Sequence, residues 1–214
     1  MFKDRKDAGQ KLGKALEHYK HCDGLILAIP RGGVEVGFYV AQQLNLPLSI
    51  VIVRKLPFPD NPESGFGAIA EDESTYFISK VYDWLSFDKI QKVIDEQKEE
   101  LQRRIEVLRQ GNPLPHITGK TVLLIDDGIA MGSTMQAAVM LCRNKKAKKI
   151  VIAAPVTGMD TAMEMARIAD DVIIIEKPTD FCAVADHYEN WYDVSDREVI
   201  DIMRKLILEE KRNG

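Results

Sequence analysis

The 214-residue chain is 45% hydrophobic and 29% charged, the balance of a folded soluble protein and not of a disordered or fibrous one, and its length suits one large domain spanning 1–214. A net charge of −4 and an isoelectric point near 5.7 exclude the global positive field that drives non-specific nucleic-acid binding, so a DNA partner is not expected and RNA is disfavoured. Cys22, Cys142 and Cys182 are odd in number and widely spaced, which predicts reduced, mostly buried thiols and no zinc site. The charged opening residues and the lack of an apolar run of spanning length predict a cytoplasmic protein without membrane attachment.

In chain order, helical spacing is expected near 5–20, followed by an apolar run at 25–29. Val34, Phe38, Ala41 and Leu44 recur at helical spacing before a second run at 48–53. Residues 56–80 then crowd Pro57, Pro59, Pro62, Gly65 and Gly67 into a stretch longer than a usual connection. It reads as a flexible lid, with an optional small hairpin pairing 65–70 with 75–78. Ile90, Val93, Ile94, Leu101, Ile105 and Leu108 mark a long amphipathic helix. Its Glu99–Arg103 and Glu100–Arg104 spacings predict ion pairs one turn apart, and residues 111–113 end it. Runs at 121–125, 150–154 and 171–175, with helices near 133–143, 159–168 and 195–211, complete the pattern. The runs are continuous and strand-length, as when a sheet is covered on both faces. The expected fold is α/β, a parallel twisted sheet of about five strands flanked by helices.

The stretch 122–135 carries the chemistry. A buried strand leads into Asp126 and Asp127, then a loop with Gly128 and Gly132, then Ser133 and Thr134 opening a helix. Gly132 allows close backbone approach, and first-turn N–H groups and two hydroxyls suit a monophosphate. The acids upstream suit sugar hydroxyls. Singly, each residue reads as a strand end or an N-cap; as a set they describe a ribose 5-phosphate site. Neither a Walker A loop nor a G-x-G-x-x-G fingerprint is present, which argues against a nucleotide-dependent oxidoreductase. Earlier, the strand at 25–29 ends in Pro30, Arg31, Gly32 and Gly33, a turn with charge and exposed N–H groups. Arg54 and Lys55 stand where the run at 48–53 is expected to end, and in an open parallel sheet ligands gather at such strand ends.

These segments resemble the donor-binding signature of type I phosphoribosyltransferases, which use 5-phosphoribosyl 1-diphosphate (PRPP). The wording at 29–34, 53–56 and 67–70 is similar to a branch whose acceptors are largely unassigned. The resemblance implies that Asp126 and Asp127 engage the ribose hydroxyls directly or through Mg²⁺, that residues 128 and 130–134 (Gly128, Ala130, Met131, Gly132, Ser133, Thr134) surround the 5-phosphate, and that Gly32 and Gly33 contact the diphosphate. The chain departs from the family at Gly128, usually aliphatic, and at Ala130 and Met131, where hydroxyls are common.

Transfer of phosphoribose to an acceptor such as a nucleobase is then expected to use Arg31, Arg54, Lys55 and Mg²⁺ on the departing diphosphate. Residues 178–192 resemble the family's small hood, with Phe181, Asp186, His187, Tyr188 and Trp191 as acceptor candidates; the same aromatics also suit a core or interface. A homodimer is what the family implies. The competing reading is a non-catalytic PRPP sensor that binds RNA or protein.

Overall fold

A computed structural model describes residues 1–213. Five parallel strands, β1 (Gly24–Ala28), β2 (Leu48–Ile50), β6 (Thr121–Ile125), β7 (Lys149–Val156) and β8 (Asp171–Glu176), form one sheet in the order β2-β1-β6-β7-β8. Three antiparallel strands, β3 (Val53–Phe58), β4 (Asn61–Ala70) and β5 (Thr75–Phe77), form a second. The helices are α1 (Arg5–Ala15), α2 (Gly32–Leu44), α3 (Val81–Trp84), α4 (Phe87–Arg109), α5 (Ser133–Asn144), α6 (Met159–Ile168) and α7 (Asp196–Asn213).

Alternation explains why the apolar runs are continuous. Ile26, Ala28, Leu123, Ile125, Val151 and Ala153 belong to a core shared with α1, α2, α4 and α7. Their neighbours Leu25, Leu27, Val122, Leu124, Ile150 and Ile152 point the other way, into a core with α5 and Met165 of α6. Both faces are dry, so no strand has a polar side to show.

Counted among the parallel strands alone, the order is second, first, third, fourth, fifth. The chain leaves β1 for one edge and leaves β6 for the other, which opens a crevice between those two tips. Ala28 stands beside Ile125, and Ile125 beside Ala153, so the loops after β1, β6 and β7 emerge at one level.

The run at 48–53 is not one strand. β2 stops at Ile50 and β3 restarts at Val53 in the other sheet, so Arg54 and Lys55 lie inside an antiparallel strand and not at a parallel strand tip. The proline- and glycine-rich stretch is regular structure: Gly67, Ala68 and Ile69 pair with Phe77, Tyr76 and Thr75. Pro57 is tolerated because β3 is an edge strand whose register shifts on either side of it. Arg103 is also differently placed from expectation, pairing with Glu100 and not Glu99, while Arg104–Glu100 forms as spaced. Of the cysteines, Cys142 is buried, Cys22 is partly buried and Cys182 is exposed, which corrects the expectation for Cys182. No described helix is long and apolar enough to cross a membrane.

A buried ion pair fastens the two sheets. Arg109, at the end of α4, donates to Glu71 Oε1 (3.0 Å) and to the Ile50 carbonyl (3.0 Å), and Glu71 Oε1 also accepts from the Ile52 N–H (2.9 Å). Both side chains are 7% exposed, so either charge alone would be stranded away from water. Arg109→Met should cost about 3–5 kcal/mol and lower the melting temperature by on the order of 10 °C. Adding Glu71→Gln, which removes the stranded charge and keeps an acceptor for Ile52, should restore most of that loss in thermal denaturation.

Candidate active site

The crevice is closed at its base by backbone packed on backbone. Ile29 donates to the Ile125 carbonyl (2.8 Å), the Pro30–Arg31 peptide is cis, and α2 begins at Gly32. A Cβ on Gly32 would lie 1.8 Å from Asp127 Oδ2, and one on Gly33 would lie 2.9 Å from Asp126 Cα. Neither glycine has a positive φ. They are required here for close approach to the acids and not for a left-handed backbone.

Asp126 and Asp127 are adjacent but held differently. The Asp127 N–H donates to Asp126 Oδ1 (2.9 Å), while Arg5 Nε donates to Asp127 Oδ2 (2.8 Å). Burial, followed by the neighbouring charge of Asp127, pushes the Asp126 carboxyl well above the ordinary range. Arg5 is 2% exposed. Its guanidinium also donates to the Tyr192 carbonyl (2.9 Å) and lies over the Trp191 ring, 4.0 Å from the centroid. Tyr188 donates its hydroxyl to the Asp127 carbonyl (2.5 Å), and burial raises that phenol's pKa.

The loop after Asp127 is pinned from β7 and α6. The Ile129 N–H donates to the Val156 carbonyl (2.9 Å), and the Ile129 carbonyl accepts from buried Thr157 (2.6 Å). The Ala130 carbonyl accepts from Thr161 (3.0 Å). Gly132, at φ 76°, caps α5 in the left-handed region, where a side chain would be strained. Gly128 to Thr134, with Lys55, Glu63, Gly65 and Gly67, line a cavity of about 290 Å³. The α5 N-terminus and the Lys55 ammonium both favour an anion there. Lys55 Nζ donates to the Glu63 carbonyl (2.7 Å).

Arg54 goes elsewhere, because successive strand residues point to opposite faces. Its Nε donates to Gln97 on α4 (3.1 Å), and burial, then nearby Arg104, lowers its pKa. Arg31 Nη1 lies 3.9 Å from Asp196 at the start of α7. The pair that looks like one unit in sequence therefore serves two regions.

The aromatic hood segment is only partly available to an acceptor. Tyr188 is buried against Phe2, and Trp191 covers Arg5. His187 Nδ1 is 3.3 Å from Glu176. Asp186 is exposed. Phe181 stacks on His187 at 5.6 Å and lines a larger cavity of about 700 Å³, together with Tyr76, Met131, Ser133, Thr161 and Glu164. Of the five acceptor candidates, Phe181 alone lines this cavity beside the loop at 128–134.

The family description "Phosphoribosyl transferase domain" fits residues 5–189, a span that takes in Arg5, both acids, the loop and the hood as far as Glu189. The chain belongs to this family. A curated Mycobacterium tuberculosis protein, provisionally named a phosphoribosyl transferase, is 39% identical over 202 residues, covering 94% of this chain and 46% of the relative; its counterpart from a second strain matches equally. The chain thus spans about half the length of these curated relatives. The crystal structure of TT1426 from Thermus thermophilus superposes with a TM-score of 0.80 at 31% identity, covering 94% of this chain and 96% of that one. Parallel five-stranded architecture of the type I phosphoribosyltransferase kind is therefore shared with a solved relative.

Within this phosphoribosyl transferase domain, the feature sequence reasoning missed is Arg5. It sits 122 residues from its partner Asp127, and no local pattern marks it. Gly128 also gains a reason: a Cβ there would lie 2.4 Å from Val184 Cγ1 of the hood. Gly128→Ala should lower stability by about 1–3 kcal/mol through overpacking, and adding Val184→Ala should return most of it in denaturant melts. Asp126→Asn should stabilise the protein at neutral pH, because the raised carboxyl is costly once ionised. That gain, read as a higher melting temperature, should shrink as pH falls from the raised folded value toward about 4 and be absent below it, where the unfolded chain also carries the proton.

Proposed function

We propose that this domain transfers 5-phosphoribose from PRPP to an acceptor with release of diphosphate. The observation that carries the reading is the meeting of two loops and a strand at the β1–β6 crevice: Gly32 against Asp127, the cradle at 128–134, and Lys55 facing that cradle from β3 of the second sheet. A phosphate at one end of the sugar and a diphosphate at the other match an anion cradle and a cationic loop separated by acids.

Breaking the bond from the anomeric carbon to diphosphate builds positive charge on the ribose and negative charge on the leaving group. Arg31, Arg54 and the N–H groups near Gly32 and Gly33 face the leaving group. Lys55, Ser133, Thr134 and the α5 N-terminus hold the 5-phosphate. This moves Lys55 from the diphosphate end, where its place in the sequence puts it, to the other end of the donor. Asp126 and Asp127 accept from the ribose hydroxyls and offset the ring's charge. The exposed turn between β3 and β4, residues 59–64, is the part of this stretch that can fold over the site to exclude water and protect the donor from hydrolysis.

Among the described residues, no three His, Cys, Asp or Glu side chains group as metal ligands. The adjacent carboxylates fit Mg²⁺ only as an ion that brings water and donor oxygens with it, which is that ion's usual habit. Asp126 and Asp127 would hold it, and it would supply charge neutralisation for the diphosphate. The acceptor enters near Phe181 through the larger cavity.

A sensor reading is favoured by one observation: Arg5 already neutralises Asp127, which weakens its pull on a cationic ribose. The test is titration of PRPP with Mg²⁺, then an acceptor panel read by mass for new phosphoribosyl adducts and by diphosphate release. Transfer with at least one acceptor, and a loss of about 10²-fold in Arg31→Ala, is expected. Tight binding without release under every acceptor selects the sensor, and no binding ends both readings.

A further inference from the structure

The long helix α4 presents Gln97, Glu100, Arg103 and Arg104 at spacings of three and four residues, which places them along one side. Gln97 accepts from Arg54 (3.1 Å). Glu100 accepts from Arg103 Nε (2.6 Å) and Nη2 (2.9 Å) and from Arg104 Nε (2.9 Å). Hydrogen bonds from Arg103 and Arg104 hold the Glu100 carboxyl down to about 2, so it stays ionised at working pH. Asp196, the first residue of α7, lies 3.9 Å from Arg31 Nη1 and 3.9 Å from Arg103 Nη1.

Four guanidiniums, from the loop after β1, from β3 and from α4, thus face two carboxylates. Arg54 feels the excess: after burial, the charges of Arg104, Arg103 and Arg31 all act to lower its pKa. Asp196 is a poor counter-ion. Distances of 3.9 Å are too long for hydrogen bonds, and its buried Oδ1 has no hydrogen-bond partner. A ligand with more negative charge and more acceptor oxygens would satisfy the guanidinium forks better than this carboxylate does.

We propose that Arg103 and Arg104 of α4 are diphosphate-binding residues that form a wall opposite Arg31, and that Asp196 is the internal counter-ion with which the diphosphate competes. This rests on the donor reading above and adds α4 and the start of α7 to it.

Isothermal titration of inorganic diphosphate and, separately, of ribose 5-phosphate, each with Mg²⁺, tests the idea. In wild type both should bind. Arg103→Gln and Arg104→Gln should each weaken diphosphate by about tenfold or more, the scale of a lost charged hydrogen bond, and leave ribose 5-phosphate within about twofold, since the cradle at 128–134 holds that phosphate. Asp196→Asn should tighten diphosphate several-fold. Unchanged diphosphate affinity in both arginine variants, with wild type binding, removes α4 from the site and leaves the donor reading standing. If an arginine variant loses both ligands together, the fold is damaged and Asp196→Asn decides: tightening supports the proposal, and unchanged or weaker binding overturns it. Wild type binding neither ligand overturns the donor reading and this one with it.

Discussion

With no side chain between them, the Gly32–Gly33 backbone rests directly on Asp126 and Asp127, and the rest of the site takes its position from that contact. Two loops that leave adjacent parallel strands in opposite directions would ordinarily splay apart. Here the first turn of α2 is pressed against the acids, so the N–H groups of one loop and the carboxylates of the other share one crevice. The sheet's covered faces make this rigid: strand tips buried between two layers of helices have little freedom to separate.

Electrostatic cost is the second theme. Placing two carboxylates side by side is unfavourable, and the chain offsets it with Arg5, a nearly inaccessible cation reached from the first helix. Arg5 also binds the hood through Tyr192 and Trp191. The same side chain therefore sets the charge of the acids and the placement of the segment that covers them. That dual duty explains why Tyr188 and Trp191, attractive in sequence as stacking partners for an acceptor, are occupied with internal contacts.

The parallel sheet was readable because uninterrupted apolar runs have few meanings, and the loop between β6 and α5 because Asp126 to Thr134 is a contiguous pattern whose parts reinforce each other. Of the second sheet, the hairpin pairing 65–70 with 75–78 was legible, while β3 and the start of β4 were hidden by Pro57, Pro59 and Pro62, which read as breakers; an edge position and register shifts around Pro57 accommodate one of them. Arg5 was illegible because its partner is remote in the chain and a lone arginine among charged residues resembles solvated surface. The internal contacts of Tyr188 and Trp191 were hidden for a related reason: composition reveals which residues are aromatic, and only packing reveals which of them are already engaged.

The opposed directions of Arg54 and Lys55 on β3 make strand registration a chemical variable. A slip of one residue between β3 and β4 would exchange their faces, delivering a guanidinium to the cavity lined by 128–134 and an ammonium to the arginine cluster beside α4. Each region would then meet the other's cation with net charge unaltered. For this domain, the irregular pairing around Pro57 pins the alignment that keeps the two cations on their separate faces.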